Sequence, residues 1–231
     1  LKNYDLNPDR RDVGWMSNNS VLLREGLEFE LLPMLADRIR DTGEPGIINL
    51  MNVQKYARHG RKKADLATCL NPCSEIPLES YETCNLAEVF PTRCETVDQF
   101  NRALELATLY TQSVSLLPTH RPETNEIIAR NRRVGVSISG IADLLDSTSL
   151  SHVVRMLRNG YEKHVVPENA RLAAEAGVPA SIRVTTVKPS GTISLLAGVS
   201  PGMHWPIHQF CIRRVRVSEG RAAADRLVQA G

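Results

Sequence analysis

Apolar residues recur at the spacing of an α-helix in several stretches of the chain. This pattern predicts helices over residues 20–40, 97–117 and 151–176, and a further helix from residue 141 onward. Pro118 and Gly177 directly follow two of these stretches, and both residue types commonly end helices. The longest apolar faces therefore belong to helices that can pack on one side against a sheet.

Shorter runs are rich in β-branched and other apolar residues. They predict strands at residues 47–52, 83–90, 133–139 and 182–187. A further strand is predicted over residues 210–217, where arginines alternate with apolar residues. Because the strands alternate with helices, the pattern favours an α/β fold with a parallel sheet or part of a barrel.

Composition narrows the class of protein. Charged residues make up 23% of the chain and nearly balance, with a net charge of +2, so the sequence suggests binding to neither a nucleic acid polymer nor an acidic membrane. No apolar run approaches the roughly 20 residues that span a bilayer, and no signal peptide is recognisable. The chain has only 5 cysteines, which is an odd number, and this argues against a disulfide framework. We expect a cytoplasmic protein with reduced thiols.

The segment Asn71-Pro72-Cys73-Ser74-Glu75 places a carboxamide, a thiol and a carboxylate within five residues. Pro72 fixes its own φ angle and disfavours helix at Asn71, which predicts a loop with few conformations. If residues 73–75 are extended, Cys73 and Glu75 project to the same side, roughly 7 Å apart. The thiol suits radical or nucleophilic chemistry, the carboxylate can accept a proton, and the amide can hold a hydroxyl.

Two other interpretations of the cysteines stay open. A free cysteine is often simply buried in a core. Alternatively, a zinc ion could be bound by the four cysteines Cys69, Cys73, Cys84 and Cys94. Structural zinc sites usually contain two closely spaced cysteine pairs, and only Cys69 and Cys73 approach that spacing here, so we predict no metal site.

A second candidate site follows the predicted strand at 182–187. Pro189 ends the strand, and Ser190, Gly191 and Thr192 form a turn into Ile193 and Ser194, which can open a helix. Backbone N–H groups and small hydroxyls at such a turn can bind a phosphate group. Serine, threonine and glycine also favour caps for purely local reasons, so an ordinary capped turn is an equal alternative on these residues alone.

Beyond individual residues, the chain resembles ribonucleotide reductases. Residues 71–86, which contain Asn-Pro-Cys-x-Glu and end in Cys-Asn-Leu, are similar to the active-site finger loop and the following strand of that family, in particular of its adenosylcobalamin-dependent class (class II, ribonucleoside-triphosphate reductase-like). The resemblance continues through residues 43–50, 130–137 and 183–202, and so covers nearly the whole chain. Ser74 stands where the family most often has glycine.

The resemblance implies a role for each matching residue. Cys73 would carry a thiyl radical that abstracts the 3′ hydrogen of a ribonucleotide, and Glu75 would take the proton of the 3′ hydroxyl. Asn71 would hydrogen-bond the ribose hydroxyls. Cys84 would be one of two thiols that supply reducing equivalents as the 2′ hydroxyl leaves as water. The phosphate loop, residues 188–194, would bind the substrate phosphates, with Ser190, Gly191, Thr192, Ile193 and Ser194 as its proposed contacts.

The resemblance also implies a fold, a cofactor and partners. The chain would form part of a ten-stranded α/β barrel, as one partial catalytic domain over residues 1–231, with a central finger loop at about 69–80. The second reducing thiol would lie in the remainder of the barrel, outside this chain, so we expect a piece of a longer protein. Adenosylcobalamin would be the cofactor, and the partners would be a ribonucleoside diphosphate or triphosphate and a thioredoxin-like or dithiol reductant.

Two alternatives remain at this point. The enzyme could belong to the class that takes its radical from a separate metal-containing subunit. The chain could also be a non-catalytic barrel fragment that serves only as a scaffold or binds a partner. The main expectation is an oxidoreductase that supplies deoxyribonucleotides for DNA synthesis.

Overall fold

The computed structural model describes residues 7–10, 19–24, 26–61, 63–205, 210 and 222–230. Its strands are β1 (Ser20–Leu23), β2 (Gly46–Asn49), β3 (Cys69–Leu70), β4 (Pro77–Leu78), β5 (Asn85–Val89) and β6 (Val134–Ile138). Its α-helices are α1 (Leu32–Thr42), α2 (Leu50–Tyr56), α3 (Val97–Ser115), α4 (Pro122–Asn131), α5 (Ile141–Ser147), α6 (Leu150–Gly160), α7 (Val166–Glu175), α8 (Ile193–Ala197) and α9 (Ala222–Ala230).

The strands form three pairs. β1 pairs with β2 and β5 pairs with β6, both in parallel, whereas β3 and β4 form a short antiparallel pair. The segment after Ile182 runs along the other side of β6, where Val136 N–H donates to Val184 O at 2.9 Å and Thr186 N–H donates to Val136 O at 3.3 Å. Parallel pairs joined through helices confirm the α/β class that the sequence predicted.

The principal core lies between α3 and the β5–β6 pair. Phe100 and Leu104 of α3 pack with Val134, Val136 and Ile138 of β6, and all five side chains are buried. The other face of β6 carries Gly135 and the buried Ser137, because successive strand residues point to opposite sides. The helices therefore cover one face of the sheet, and the polar face is left for the candidate site.

The long helices match their predictions. Thr96 caps α3 by accepting a hydrogen bond from Gln99 N–H at 3.1 Å, and the helix ends at Ser115, close to the predicted end. A π-helical turn at Tyr161–Val165 joins α6 to α7, so the predicted 151–176 helix is continuous but wider at that turn. Pro167, in the first turn of α7, cannot donate a backbone hydrogen bond, and such a turn accommodates that loss.

Near the amino-terminal end, two predictions were wrong. Residues 20–40 do not form one helix, because residues 20–23 pair with β2 as a strand and α1 begins only at Leu32. The predicted strand at 47–52 ends at Asn49, whose side chain accepts from Asn52 N–H at 2.9 Å and caps α2. In both cases pairing or capping outweighed the local apolar pattern.

The sequence pattern missed α4, which begins at Pro122 and ends where Arg132 adopts a left-handed conformation. The predicted strand at 210–217 lies outside the described residues except for Phe210. In the described part of the chain, no helix combines the length and apolar character needed to cross a bilayer.

Candidate active site

The predicted finger loop, residues 69–80, is a tight hairpin. Its legs are β3 and β4, where Cys69 lies opposite Leu78, and Asn71 N–H donates to Ile76 O at 3.1 Å. At the tip, Ser74 N–H donates to Asn71 O at 2.8 Å and Ser74 has a φ of 61°. Residues 73–75 are therefore not extended, and the condition for Cys73 and Glu75 to project to the same side is not met, because the chain reverses at Ser74. The loop itself, restricted by Pro72, was predicted correctly.

Asn71 organises the loop from within. Its side-chain Oδ1 accepts hydrogen bonds from the backbone N–H groups of Glu75 and Ile76, both at 3.1 Å. Its Nδ2 donates to Glu75 Oε2 at 2.6 Å. Since the carbonyl end is occupied by two N–H groups, the amide orientation is fixed and the NH₂ group must face the carboxylate.

The carboxylate of Glu75 lies between Asn71, which donates to Oε2, and the ammonium of Lys188. Its side chain is only 2% exposed, and Lys188 Nζ lies 3.7 Å from Oε1. The Thr186 hydroxyl donates to the backbone carbonyl of Glu75 at 2.6 Å. Within the described ranges, Oε1 is buried and makes no hydrogen bond. This oxygen is the carboxylate acceptor that no donor within these ranges occupies.

The free thiols within the described residues are Cys69, Cys73, Cys84 and Cys94. Cys73 is exposed at the loop tip, and Cys84 is half-buried directly before β5. Burial raises the pKa of the Cys84 thiol, the Glu75 carboxylate raises it further, and the Lys188 ammonium acts in the opposite direction. Glu75 and Lys188 therefore lie near enough to Cys84 to change the pKa of its thiol. No group of three or more potential ligands in the described residues could hold a metal ion.

The predicted phosphate loop, residues 188–194, leads from this cluster into α8. Lys188 N–H donates to the hydroxyl of the buried Ser137 at 2.9 Å, which joins the start of the loop to β6. Ser190 has a φ of 56°, its carbonyl accepts from Ser194 Oγ at 2.5 Å, and its own hydroxyl is buried without a partner among the described residues. The predicted turn into a helix is present. Phosphate binding by residues 190–194 stays a prediction.

Arg93 holds the other end of α8. Its Nε donates to Ala197 O and its Nη2 to Gly198 O, each at 2.6 Å. A Cβ on Gly198 would lie 2.7 Å from Arg93 Nη2, so only glycine permits this approach. A positive charge at the carboxyl end of a helix also suits the helix dipole. Sequence reasoning missed Arg93, because its partners lie about a hundred residues away.

A buried network centred on Arg133 supports the base of the finger loop. Its terminal nitrogens donate to both oxygens of Asp65, at 2.8 and 3.0 Å, and its Nε donates to Glu82 Oε1 at 3.0 Å. Burial alone would lower the pKa of the Arg133 guanidinium, but hydrogen bonds and charges from Asp65 and Glu82 outweigh it and raise the pKa. Asp65 precedes the hairpin and Glu82 follows it, so Arg133, directly before β6, joins the segments on both sides of the hairpin.

A small cavity lies beside the finger loop. It has a volume of about 180 Å³ and is lined by residues of β1 and β2 together with residues 69–72 and Ser74. The cavity therefore separates the finger loop from the β1–β2 pair.

Residues 19–153 match a family described as "Ribonucleotide reductase, barrel domain". The chain is 40% identical over 234 residues to the adenosylcobalamin-dependent ribonucleoside-triphosphate reductase of Euglena gracilis, covering 100% of this chain and 32% of the relative. It is likewise 40% identical over 235 residues to a probable enzyme of the same name from Dictyostelium discoideum, covering 100% of this chain and 30% of that protein.

Solved structures agree with the sequence relatives. A B12-dependent class II ribonucleotide reductase superposes with a TM-score of 0.73 at 32% identity, over 88% of this chain and 33% of that one. The class Id ribonucleotide reductase alpha subunit of Actinobacillus ureae shares the fold alone, with a TM-score of 0.61 at 14% identity over 80% of this chain and 43% of that one.

The chain spans about a third of the length of the curated relatives it matches. The family match covers more than half of the chain, and it includes the finger loop, Asn71, Glu75 and Cys84. The chain therefore belongs to the ribonucleotide reductase family, and residues 19–153 belong to the barrel domain of that family.

Proposed function

We propose that the protein containing this chain reduces ribonucleotides to 2′-deoxyribonucleotides by thiyl radical chemistry. The observation that carries the proposal is the buried Glu75 carboxylate, whose Oε2 is held by Asn71 while Oε1 stays open, beside the half-buried Cys84 and on the same loop as the exposed Cys73. The chain would supply the central finger loop, residues 69–80, and the phosphate loop, residues 188–194, of a ten-stranded barrel.

In this mechanism, Cys73 and Glu75 act on the same ribose position. The sulfur radical of Cys73 takes the hydrogen atom from C3′, and Glu75 Oε1 accepts the proton of the 3′ hydroxyl. Asn71 shares its amide between the loop backbone and Glu75, so it can hold a ribose hydroxyl close to the carboxylate without adding charge. These roles need a carboxylate that is buried and oriented before the substrate arrives.

Cys84 supplies a proton and reducing equivalents. Its raised pKa keeps it as a neutral thiol at physiological pH, which suits a group that must give a proton to the departing 2′ hydroxyl. Together with a second thiol in the remainder of the barrel, it is oxidised to a disulfide. The products are then one deoxyribonucleotide, one water and one disulfide, and a dithiol reductant restores the thiols.

The substrate phosphates would bind at the phosphate loop. Ser190 supplies a buried hydroxyl that lacks a partner among the described residues, and Gly191, Thr192, Ile193 and Ser194 supply the turn that leads into α8. The relatives are named as triphosphate reductases, which favours a ribonucleoside triphosphate as the substrate.

Adenosylcobalamin is the proposed cofactor, on the strength of the names of the relatives and of the class II structure. When bound, it supplies the oxidising radical by homolysis of its cobalt–carbon bond. Cys73 is exposed at the loop tip, so its sulfur is accessible to an oxidant that this chain does not itself supply.

The test is reduction of ribonucleoside triphosphates by the full-length protein with adenosylcobalamin and a dithiol. We expect wild type to form deoxyribonucleotides and Cys73→Ala to form none. Cys69→Ser is the matched control, because Cys69 is an exposed thiol on the same hairpin and should keep its activity. If wild type turns over only when a metal-containing subunit replaces the cobalamin, the cofactor assignment is wrong. If wild type is inactive in both conditions, the catalytic proposal fails.

A further inference from the structure

We propose that Lys188 is a positioning residue that balances the charge of Glu75 and leaves Oε1 of that carboxylate free to accept the substrate proton. This inference rests on the proposed function, because it names the oxygen that acts as the base and the side chain that prepares it. Lys188, the first residue of the phosphate loop, would then also act near the ribose of the substrate, where the reaction takes place.

The distance between the two groups supports this role. Lys188 Nζ lies 3.7 Å from Glu75 Oε1, which is within ion-pair range but longer than a hydrogen bond. Asn71 already occupies Oε2 at 2.6 Å, and no group in the described residues hydrogen-bonds Oε1. A buried carboxylate needs a compensating charge or partner, and Lys188 supplies that charge without occupying the remaining oxygen.

The backbone around Lys188 fixes this arrangement. Its own N–H donates to Ser137 Oγ, and Thr186, two residues earlier, donates its hydroxyl to the carbonyl of Glu75. Both contacts tie the segment before the phosphate loop to β6 and to the finger loop. Lys188 therefore approaches Glu75 from a position set by neutral hydrogen bonds, not by the ion pair alone.

The competing role for Lys188 is to bind a phosphate group of the substrate. Its side chain is 27% exposed, so its ammonium is not sealed away from solvent. However, Lys188 is near enough to Cys84 to lower the pKa of that thiol, while Glu75 and Cys73 raise it. The ammonium thus lies near two of the reacting groups, Glu75 and Cys84.

The test compares Lys188→Met and Lys188→Arg with wild type in the full-length protein, and uses Lys163→Met, an exposed lysine on the π-helical turn, as a control. We expect Lys188→Met to lower kcat by about ten-fold or more, with KM for the ribonucleotide within about two-fold of wild type. Lys188→Arg should recover part of the loss. A KM that rises while kcat is kept would overturn the proposal in favour of phosphate binding.

A second readout does not depend on turnover. The rate of Cys84 alkylation against pH, followed by mass spectrometry, should show a higher midpoint in Lys188→Met than in wild type, because the ammonium lowers the pKa of that thiol. An unmoved midpoint would contradict the placement of Lys188 beside Cys84 and Glu75. This measurement tests the effect of the Lys188 ammonium on Cys84 even if wild type proves inactive, which would count against the proposed function instead.

Discussion

Asn71 and Glu75 are joined by two hydrogen bonds, one from Nδ2 to Oε2 at 2.6 Å and one from the backbone N–H of Glu75 to Oδ1 at 3.1 Å. The second bond fixes which end of the amide faces the carboxylate. If an oxygen replaced Nδ2, it would face Glu75 Oε2, and two hydrogen-bond acceptors would then be in contact. The pair needs a neutral amide, and the carboxylate remains oriented because the amide cannot turn.

The substitution Asn71→Asp tests this requirement. A second carboxylate would lie next to Glu75, and two such groups in contact share a proton because they cannot both ionise easily. Glu75 would then lose its capacity to accept a proton, and we expect kcat for ribonucleotide reduction to fall by about 100-fold at neutral pH. Steady-state kinetics of the full-length protein measures the change.

Asn52→Asp is the control for this prediction. Asn52 is exposed in the first turn of α2, so the same chemical change there should leave kcat as in wild type. Activity of Asn71→Asp equal to that of the control would contradict the role given to the amide.

Replacing Arg133 tests the support beneath the finger loop. Arg133, Asp65 and Glu82 have side chains that are at most 1% exposed, so Arg133→Met leaves two buried carboxylates without their cation. Removal of one member of a buried ion pair typically costs about 3–5 kcal/mol. We expect a loss of that size in the free energy of unfolding of the full-length protein, measured by urea denaturation.

Arg171→Met provides the comparison, since Arg171 makes ion pairs with Glu168 and Glu175 on the surface of α7. Its loss should leave the urea midpoint nearly unchanged, because exposed ion pairs contribute little to stability. Equal midpoints for the Arg133 and Arg171 variants would show that the buried network does not stabilise the fold.

The backbone at Ser74 gives a third prediction. A φ of 61° lies in the left-handed region, which costs a residue with a Cβ about 1–2 kcal/mol. Ser74→Gly should therefore raise the stability by up to about 1 kcal/mol, since the freedom of glycine in the unfolded chain offsets part of the gain. Ser74→Val should lower it, because a β-branched side chain fits this region poorly. Thermal unfolding of the two variants measures both changes in stability. A Ser74→Val variant more stable than wild type would contradict the strain assigned to the backbone at Ser74.

Local patterns predicted the elements whose own residues decide their structure. The 97–115 helix has an apolar stripe and a threonine cap, and β6 is an apolar strand that is buried throughout. The finger loop was also predictable from Pro72. Its reversal at Ser74 was not, because serine adopts left-handed φ angles rarely and the sequence alone gives no reason for one here.

Contacts between distant residues explain most of what could not be predicted. Arg133 and Asp65 are 68 residues apart, and neither has a local pattern that pairs them. Lys188 was expected only as the first residue of a phosphate loop, yet its ammonium lies beside Glu75. Such pairs arise from the course of the chain in three dimensions, which alternating strands and helices specify only coarsely.

Arg93 offers a test of the phosphate loop. Its guanidinium holds the last carbonyls of α8, whose first residues belong to the proposed phosphate site. Arg93→Met should loosen the helix and weaken substrate binding by about 1 kcal/mol, which is about a five-fold rise in KM. We expect kcat to change much less, because Arg93 contacts neither Glu75 nor Cys84 directly. Gly198→Ala should act in the same direction, since its Cβ would displace the guanidinium. A lowered kcat with an unchanged KM in both variants would contradict a binding role for this loop.

The charge of Glu75 should be measurable through the thiol of Cys84. Burial raises the pKa of this thiol first, and the Glu75 carboxylate adds to the rise because a negative neighbour disfavours a thiolate. Glu75→Gln removes that charge, so the pKa of Cys84 should fall and the thiolate fraction at a given pH should increase. Alkylation of Cys84 at pH 8, followed by mass spectrometry, should then be faster than in wild type, whereas Glu162→Gln on the exposed π-helical turn should leave the rate unaltered. A slower or unchanged rate in Glu75→Gln would mean that the carboxylate does not act on Cys84, and that the two residues do not share one site.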